Sequence, residues 1–408
     1  MSCTHYAHIL KCCTLEFFLL AAGLFVAASE PVQAQTLKTL YTFTGGADGV
    51  GPFDSLILKG SNLYGAARDG SGGGGVVFDV TKTGTETTLY SFSGGADGNW
   101  PQAPLVRDAK GNLYGTTENG GASGYGTVFK VDQAGQETVL YSFQDGRDGC
   151  FPNGGLDIDG EGNLYGTAYL GGESNGGTVF EITPAGTEIT LYAFNLELPG
   201  VPDGYGPAGG LLRDSKGNLY GTTSWGGAYA WGTVFELVRS KKTYSEKLLY
   251  SFTGDADGKS PNGSLISDEQ GNLYGTTPAY PQSTSYGTVF ELTQSGLVIL
   301  HAFTGAPDGQ NPSAGLVRDK AGNLYGTTSS GGSGACVSQG IHGCGIVFQL
   351  TPAGNEIVLY SFSGEKDGAF PYGGLVGSPK ALYGTTLEAG DLSDCDGSGC
   401  GTVFKLVP

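Results

Sequence analysis

The sequence predicts an all-β chain, a seven-bladed β-propeller with four strands in each blade, and three observations predict it. The tetrapeptide Asn-Leu-Tyr-Gly recurs around Tyr64, Tyr114, Tyr165, Tyr220, Tyr274 and Tyr325, and again at Tyr383 with Ala381 in place of Asn. Successive tyrosines stand 50, 51, 55, 54, 51 and 58 residues apart, a period that suits one four-stranded blade and is too long for a leucine-rich turn. The 74 glycines among 408 residues recur in register beside strand-like runs such as Gly126-Thr127-Val128-Phe129. They therefore read as turn punctuation between many short strands rather than as the mark of a disordered chain. A repeat array lengthens by adding units, so residues 35–408 are expected as a single repeat domain.

Ahead of the array, Lys11 precedes the apolar stretch from Phe17 to Ala28, and Val32-Gln33-Ala34 offers small residues for cleavage. Residues 1–34 thus read as a signal peptide cut near Ala34, with an apolar run too short to span a bilayer. The expected destination is extracellular, periplasmic or the cell envelope, with no membrane span in the mature chain. Its removal leaves 20 basic and 37 acidic residues, a net charge of −17. Such a surface repels phosphate backbones, so nucleic acid is not an expected partner. With two histidines and five cysteines left after cleavage, no cofactor and no metal site is expected.

Within a unit the four strands are expected at Leu105 to Arg107, Asn112 to Thr117, Thr127 to Val131 and Thr138 to Phe143, the last alternating as a pleated strand does. The link Asp108-Ala109-Lys110-Gly111-Asn112 suits a tight hairpin, with Asp capping the turn and Gly accepting positive φ. Ahead of the first strand stands Pro-x-small-small-Leu, as in Pro152-Asn153-Gly154-Gly155-Leu156. Small residues belong where seven inner strands crowd one axis. The glycine after each repeated tyrosine is expected to let a ring from the adjacent blade lie on bare backbone. The array opens on a fourth-strand phrase, Leu40-Tyr41-Thr42-Phe43, and ends on a third-strand phrase, Gly401-Thr402-Val403-Phe404. The amino-terminal strand therefore completes the last blade and removes an exposed edge.

The phrases Leu-Tyr-Ser-Phe, Ala-Asp-Gly, Gly-Asn-Leu-Tyr-Gly-Thr-Thr and Gly-Thr-Val-Phe resemble the bacterial GloVer-type tandem repeat family of exported proteins, over residues 37 to 408. The resemblance implies an envelope or extracellular destination and propeller-like repeats, and it brings no established activity. Many such proteins end in a sorting anchor, which Leu406-Val407-Pro408 following directly on a strand does not lead one to expect here.

Fourth-to-first and second-to-third loops should emerge on one face, termed the top, where loop length also varies. From the Gly after the repeated Tyr to the Gly before the third strand, 11 residues separate Gly115 from Gly126, against 19 from Gly326 to Gly345 and 17 from Gly384 to Gly401. Loops that vary on a repeating scaffold are where function is grafted. The candidate ligand-binding residues are aromatics in these loops: Trp100, Phe151 and Phe370, each before an inner-strand proline, and Tyr205, Trp225, Tyr229 and Trp231. Tyr125, Tyr280 and Tyr286 join the group. Rings beside Asn and Ser suit stacking on sugars or anchoring a polypeptide, and equally suit folding back over Gly-rich loops.

Asp48, Asp97, Asp148, Asp203, Asp257, Asp308 and Asp367 each precede Gly in the loop entering the inner strand. Their presence in every unit favours a structural turn over a cation ring. Cys336 and Cys344 share one enlarged loop and Cys395 and Cys400 another, so two local disulfides are expected, with exchange between Cys344 and Cys400 as the alternative. Cys150 is left over. No nucleophile motif accompanies His301 or His342. Asp54 and Asp157 depart from the small and apolar inner-strand pattern and supply the carboxylates for a carbohydrate-active hydrolase or lyase, the alternative function. The leading expectation is a monomeric binding or scaffold module for a glycan or protein ligand. A purely structural envelope protein is the third reading.

Overall fold

Seven small antiparallel blade sheets follow one another along the chain, six built each from one repeat unit and the last completed by the amino-terminal strand, and a separate two-stranded hairpin pairs Val337–Ser338 with Ile341–His342. The computed structural model describes residues 35–408 apart from 71, 197–202, 280–284 and 339–340. The expected signal peptide and Tyr280 lie outside the described residues. Residues 35–408 cluster as one compact unit. Blade 2 is typical, with strands Val106–Arg107, Leu113–Thr117, Thr127–Val131 and Glu137–Ser142. The last blade joins Val376–Ser378, Ala381–Thr386 and Thr402–Val407 to the amino-terminal strand Thr36–Thr42. There Thr36 lies opposite Val407 and Thr42 opposite Thr402. The ring is closed by both ends of the array, with no edge left on its third strand.

The core explains the repeated words. In every unit the Phe of Gly-Thr-Val-Phe is fully buried, and the Phe ending the previous blade's outer strand meets it edge to face. Seven such pairs, from Phe43–Phe78 and Phe92–Phe129 to Phe362–Phe404, have centroids 5.0–5.4 Å apart. This is the preferred geometry of aromatic pairs, which adds about 1 kcal/mol beyond area burial. The glycine after each repeated tyrosine does lie under a ring, but the ring is its own blade's. Gly65 pairs across the strands with Phe78, and a Cβ on Gly65 would meet the Phe78 ring at 2.7 Å. The expectation of a ring from the adjacent blade is thus corrected. That contact is made one position outward, by the two phenylalanines.

Blade 4 differs from the four-strand expectation. Its fourth-to-first segment adds a short strand, Gly204–Pro207, on Leu219–Gly226. Elsewhere the same two loops touch through single bridges, such as Val50 with Asp69 and Cys150 with Leu170. Both loop sets therefore share one face, as strand order requires.

Candidate functional site

Each top-face loop is folded around its recurring Asp. In the first, Asp48 accepts from the Thr44 backbone N–H at 2.7 Å and from the Tyr41 hydroxyl at 2.9 Å. Tyr90 on Asp97, Tyr141 on Asp148, Tyr192 on Asp203, Tyr250 on Asp257 and Tyr360 on Asp367 repeat the clasp. In blade 5 His301 stands in for Tyr and bonds Asp308 at 3.2 Å. Burial and the neighbouring carboxylate push the Tyr90 phenol up to about 12. Every Asp is thus committed to ordering a turn, as a carboxylate accepting local donors does.

Beyond the Asp the chain turns sharply. Gly51, Trp100, Phe151, Gly206, Ser260, Asn311 and Phe370, equivalent in the seven units, have φ between 51° and 66°. Each precedes a proline that packs on the glycine opening a third strand in the blade before. A Cβ on Gly401 would lie 2.8 Å from Pro52 Cδ, and one on Gly126 2.6 Å from Pro152 Cδ. These turns aim the next residue at the axis.

All seven of those next residues, Phe53, Gln102, Asn153, Ala208, Asn262, Ser313 and Tyr372, line one cavity of about 520 Å³. Because every blade contributes to the wall, the cavity lies on the ring axis. Its volume is that of a small-molecule site. Phe53 and Tyr372, in adjacent blades, stack at 5.0 Å with planes 13° apart. Asn153 and Asn262 also belong to the wall, although their amide oxygens are themselves buried and without a hydrogen-bond partner. Asp54 also lines the cavity, and its Oδ1 accepts from the Ser55 N–H at 2.6 Å and hydroxyl at 3.1 Å. Burial raises the Asp54 carboxyl to about 6 despite those two donors. Asp54 is half-buried and is one of the residues that line the cavity.

The predicted loop aromatics make separate local contacts rather than meeting in one cluster, and Trp100, Phe151, Tyr205, Trp225, Tyr229, Trp231 and Phe370 are not among the residues that line the cavity. Trp100 is half-buried, with its Nε1 donating to Asp69 Oδ1 at 3.1 Å and the Arg68 guanidinium 4.2 Å above its ring. Phe151 meets Tyr125 at 5.9 Å, edge to face. Tyr205 and Trp225 are cross-strand partners, and Trp225 Nε1 donates to the Tyr169 hydroxyl at 3.0 Å. Trp231 lies over Gly254 with Lys259 Nζ 4.7 Å from its ring. Phe370 is buried, whereas Tyr229 is 58% exposed.

A model of the Gloeobacter/Verrucomicrobia repeat family matches residues 26–173 and 157–336, well over half of the chain. The chain belongs to this family. No curated protein matches it. Among solved structures, the extracellular domain of a protein described as a hybrid two component system from B. thetaiotaomicron is similar over 91% of this chain and 40% of that one. The TM-score is 0.56 and the identity 10%, a likeness of fold. A gluconolactonase from Xanthomonas campestris is similar over 71% of this chain and 86% of its own, with TM-score 0.45 and 17% identity. A luciferin-regenerating enzyme is similar over 92% and 95%, with TM-score 0.45 and 10% identity.

In this Gloeobacter/Verrucomicrobia repeat protein the two departing inner-strand acids part company. Asp54 is in the cavity wall, but Asp157 is bound by the Arg213 guanidinium and is not among the wall residues. The paired-carboxylate hydrolase loses its second member. Cys336 bonds Cys344 and Cys395 bonds Cys400, so the disulfides are local and no exchange between blades occurs. Cys150 is a buried free thiol, pushed up to about 12 by burial and by Asp145. Phe53 and Tyr372 escaped the sequence reading. The signal was available at the x of Pro-x-small-small-Leu, the one position in that word whose residue type is free to vary between units.

Proposed function

We propose that the chain is an exported binding module that takes a glycan at the top face of its ring. The observation that carries this reading is the axial cavity, where the stacked Phe53 and Tyr372 stand in one wall with the amide side chains of Gln102, Asn153 and Asn262. Sugar rings present apolar C–H faces to aromatic planes and hydroxyls to amides, so both halves of such a wall are used at once. The rim aromatics Trp100, Phe151, Tyr205, Trp225, Tyr229, Trp231 and Phe370 extend the contact to further residues of a chain, with Tyr229 the most accessible. The leader-like residues 1–34 and two disulfides in surface loops support an oxidising destination outside the cytoplasm. No helix among the described residues is long and apolar enough to cross a membrane.

A glycan array probed with the purified full-length chain tests the reading. Binding should fall at least about tenfold in Tyr372→Ala, the loss expected when one stacking contact worth over 1 kcal/mol is removed. Trp225→Ala should weaken longer oligosaccharides more than short ones. Glycan binding that is indifferent to both substitutions would end the proposal.

A further inference from the structure

We infer that the axial cavity selects an amino sugar, holding its ammonium group against the Asp54 carboxylate beside the Phe53 and Tyr372 rings. This rests on the reading of the cavity as a glycan site and narrows it to one ligand class. Asp54 occupies a position that is Ala103, Gly154, Gly209, Gly263, Ala314 and Gly373 in the other units, so one blade alone places a charge at the axis. Among the described residues no Lys, Arg or His belongs to the wall, and Asp54 is its single charged side chain. Both Ser55 donors go to Oδ1, and among the described residues no donor reaches Oδ2. Carboxylates drawn away from water normally have a counter-charge or a full set of donors, and the half-buried Asp54 has no counter-charge and protein donors on Oδ1 alone.

The other polar groups of the wall leave the Asp54 charge unanswered. Asn153 Oδ1 and Asn262 Oδ1 are closed off from the cavity by burial, and Gln102 gives one of its two Nε2 hydrogens to Glu118. Ser55 Oγ already accepts from the Gly374 N–H, and Ser264 Oγ from the Gly210 N–H. A ligand suited to such a wall brings one positive charge for Asp54 and acceptors for the remaining amide and hydroxyl hydrogens. An ammonium carries three N–H donors on a single centre, whereas a sugar hydroxyl brings one and leaves the Asp54 charge uncompensated. The aromatic pair adds to the selection, because ring faces attract cations most when both are desolvated. The carbonyl of Asp54 is itself fixed by the Thr385 hydroxyl at 3.2 Å, which ties the acid to the blade that carries Tyr372.

Calorimetric titration of the full-length chain at pH 7 with D-glucosamine, D-glucose and N-acetyl-D-glucosamine distinguishes the outcomes. Glucosamine should bind at least about tenfold more tightly than either neutral sugar. In Asp54→Asn, which keeps the Oδ1 acceptor for Ser55, that preference should shrink to within about twofold, while Asp54→Glu should retain part of it. Tyr372→Ala should weaken all three sugars. Neutral sugars that bind as tightly as glucosamine, with Tyr372 required and Asp54 dispensable, would overturn the ammonium inference and leave the glycan reading standing. Absence of binding by all three sugars overturns the inference, and array binding of longer glycans then decides the broader reading.

Discussion

Trp100, Phe151 and Phe370 occupy left-handed backbone, at φ of 61°, 56° and 56°, where two other units use Gly51 and Gly206. A side chain there crowds its own carbonyl at a cost of about 1–2 kcal/mol. Three bulky rings are nevertheless held at that angle. Backbone bonds on both sides fix it: Trp100 N–H donates to the Gly74 carbonyl at 3.1 Å, and its own carbonyl accepts from Glu118 N–H at 3.1 Å. The conformation, not the side chain, is what the frame demands. Trp100→Gly and Trp100→Ala both remove the ring, but only Gly also relieves the angle. In chemical denaturation the Gly variant should therefore be more stable than the Ala variant by about 1 kcal/mol. Equal stability would show that the turn opens in solution. The sequence had already aligned these seven positions, yet it could not reveal φ, because Gly, Ser, Asn, Trp and Phe share no preference that would mark the angle. The same limit hid Phe53 and Tyr372, whose meeting depends on the ring closing between the first and last units.

At the level of elements the periodic words were sufficient for strand order, closure and the shared face of the two loop sets. Strand ends fell within about one residue of those expected in blade 2, because Gly and Asp mark each turn chemically. Packing between blades was less legible. A buried Phe recurs on both third and fourth strands, and only coordinates distinguish which ring covers Gly65 and which faces the next blade. Closure by Thr36–Thr42 yields a quantitative expectation. Deleting residues 36–44 strips Leu40 and Phe43 from the core and bares the Thr402–Val407 edge. Two large apolar side chains contribute about 4 kcal/mol together, before the lost ladder is considered. Calorimetry should find the main transition lowered by several degrees and followed by aggregation, since an open strand recruits other chains. A transition unmoved by the deletion would mean that the last blade stands on three strands. The disulfide loops are more local. Cys336→Ser with Cys344→Ser should cost about 2 kcal/mol, the chain-entropy value for so short a loop, measured as a shift in denaturation midpoint.

Across the whole molecule the repeat multiplies one electrostatic conflict. A glutamate on an outer strand faces the turn Asp that ends the preceding blade's outer strand: Glu86 with Asp48, Glu137 with Asp97, Glu188 with Asp148, Glu246 with Asp203 and Glu356 with Asp308. Burial first, and the facing carboxylate second, raise Glu137 and Glu246 to about 7. Glu356 also reaches about 7, through burial and Asp308, although His301 opposes the rise. The aspartates go the other way where donors outweigh burial. The Ser93 and Tyr90 donors hold Asp97 below the usual carboxylate range, and His301 and Thr304 do so for Asp308. A raised glutamate binds its proton in the folded ring at pH values where the unfolded chain has lost it, so stability falls as pH climbs from about 4.5 to about 7. The depressed aspartates lose their contribution only as pH drops below their unfolded value near 4. The ring should therefore be most stable near pH 5. Solvent screens these half-buried glutamates, which limits each to about 1 kcal/mol. Thermal unfolding should show a melting temperature a few degrees lower at pH 8 than at pH 5. Combining Glu137→Gln, Glu246→Gln and Glu356→Gln should recover most of that loss at pH 8 and change little at pH 5. A ring that is equally stable at both pH values, or a triple variant with no gain at pH 8, would show that the blade seams admit enough water to keep these carboxyls ordinary.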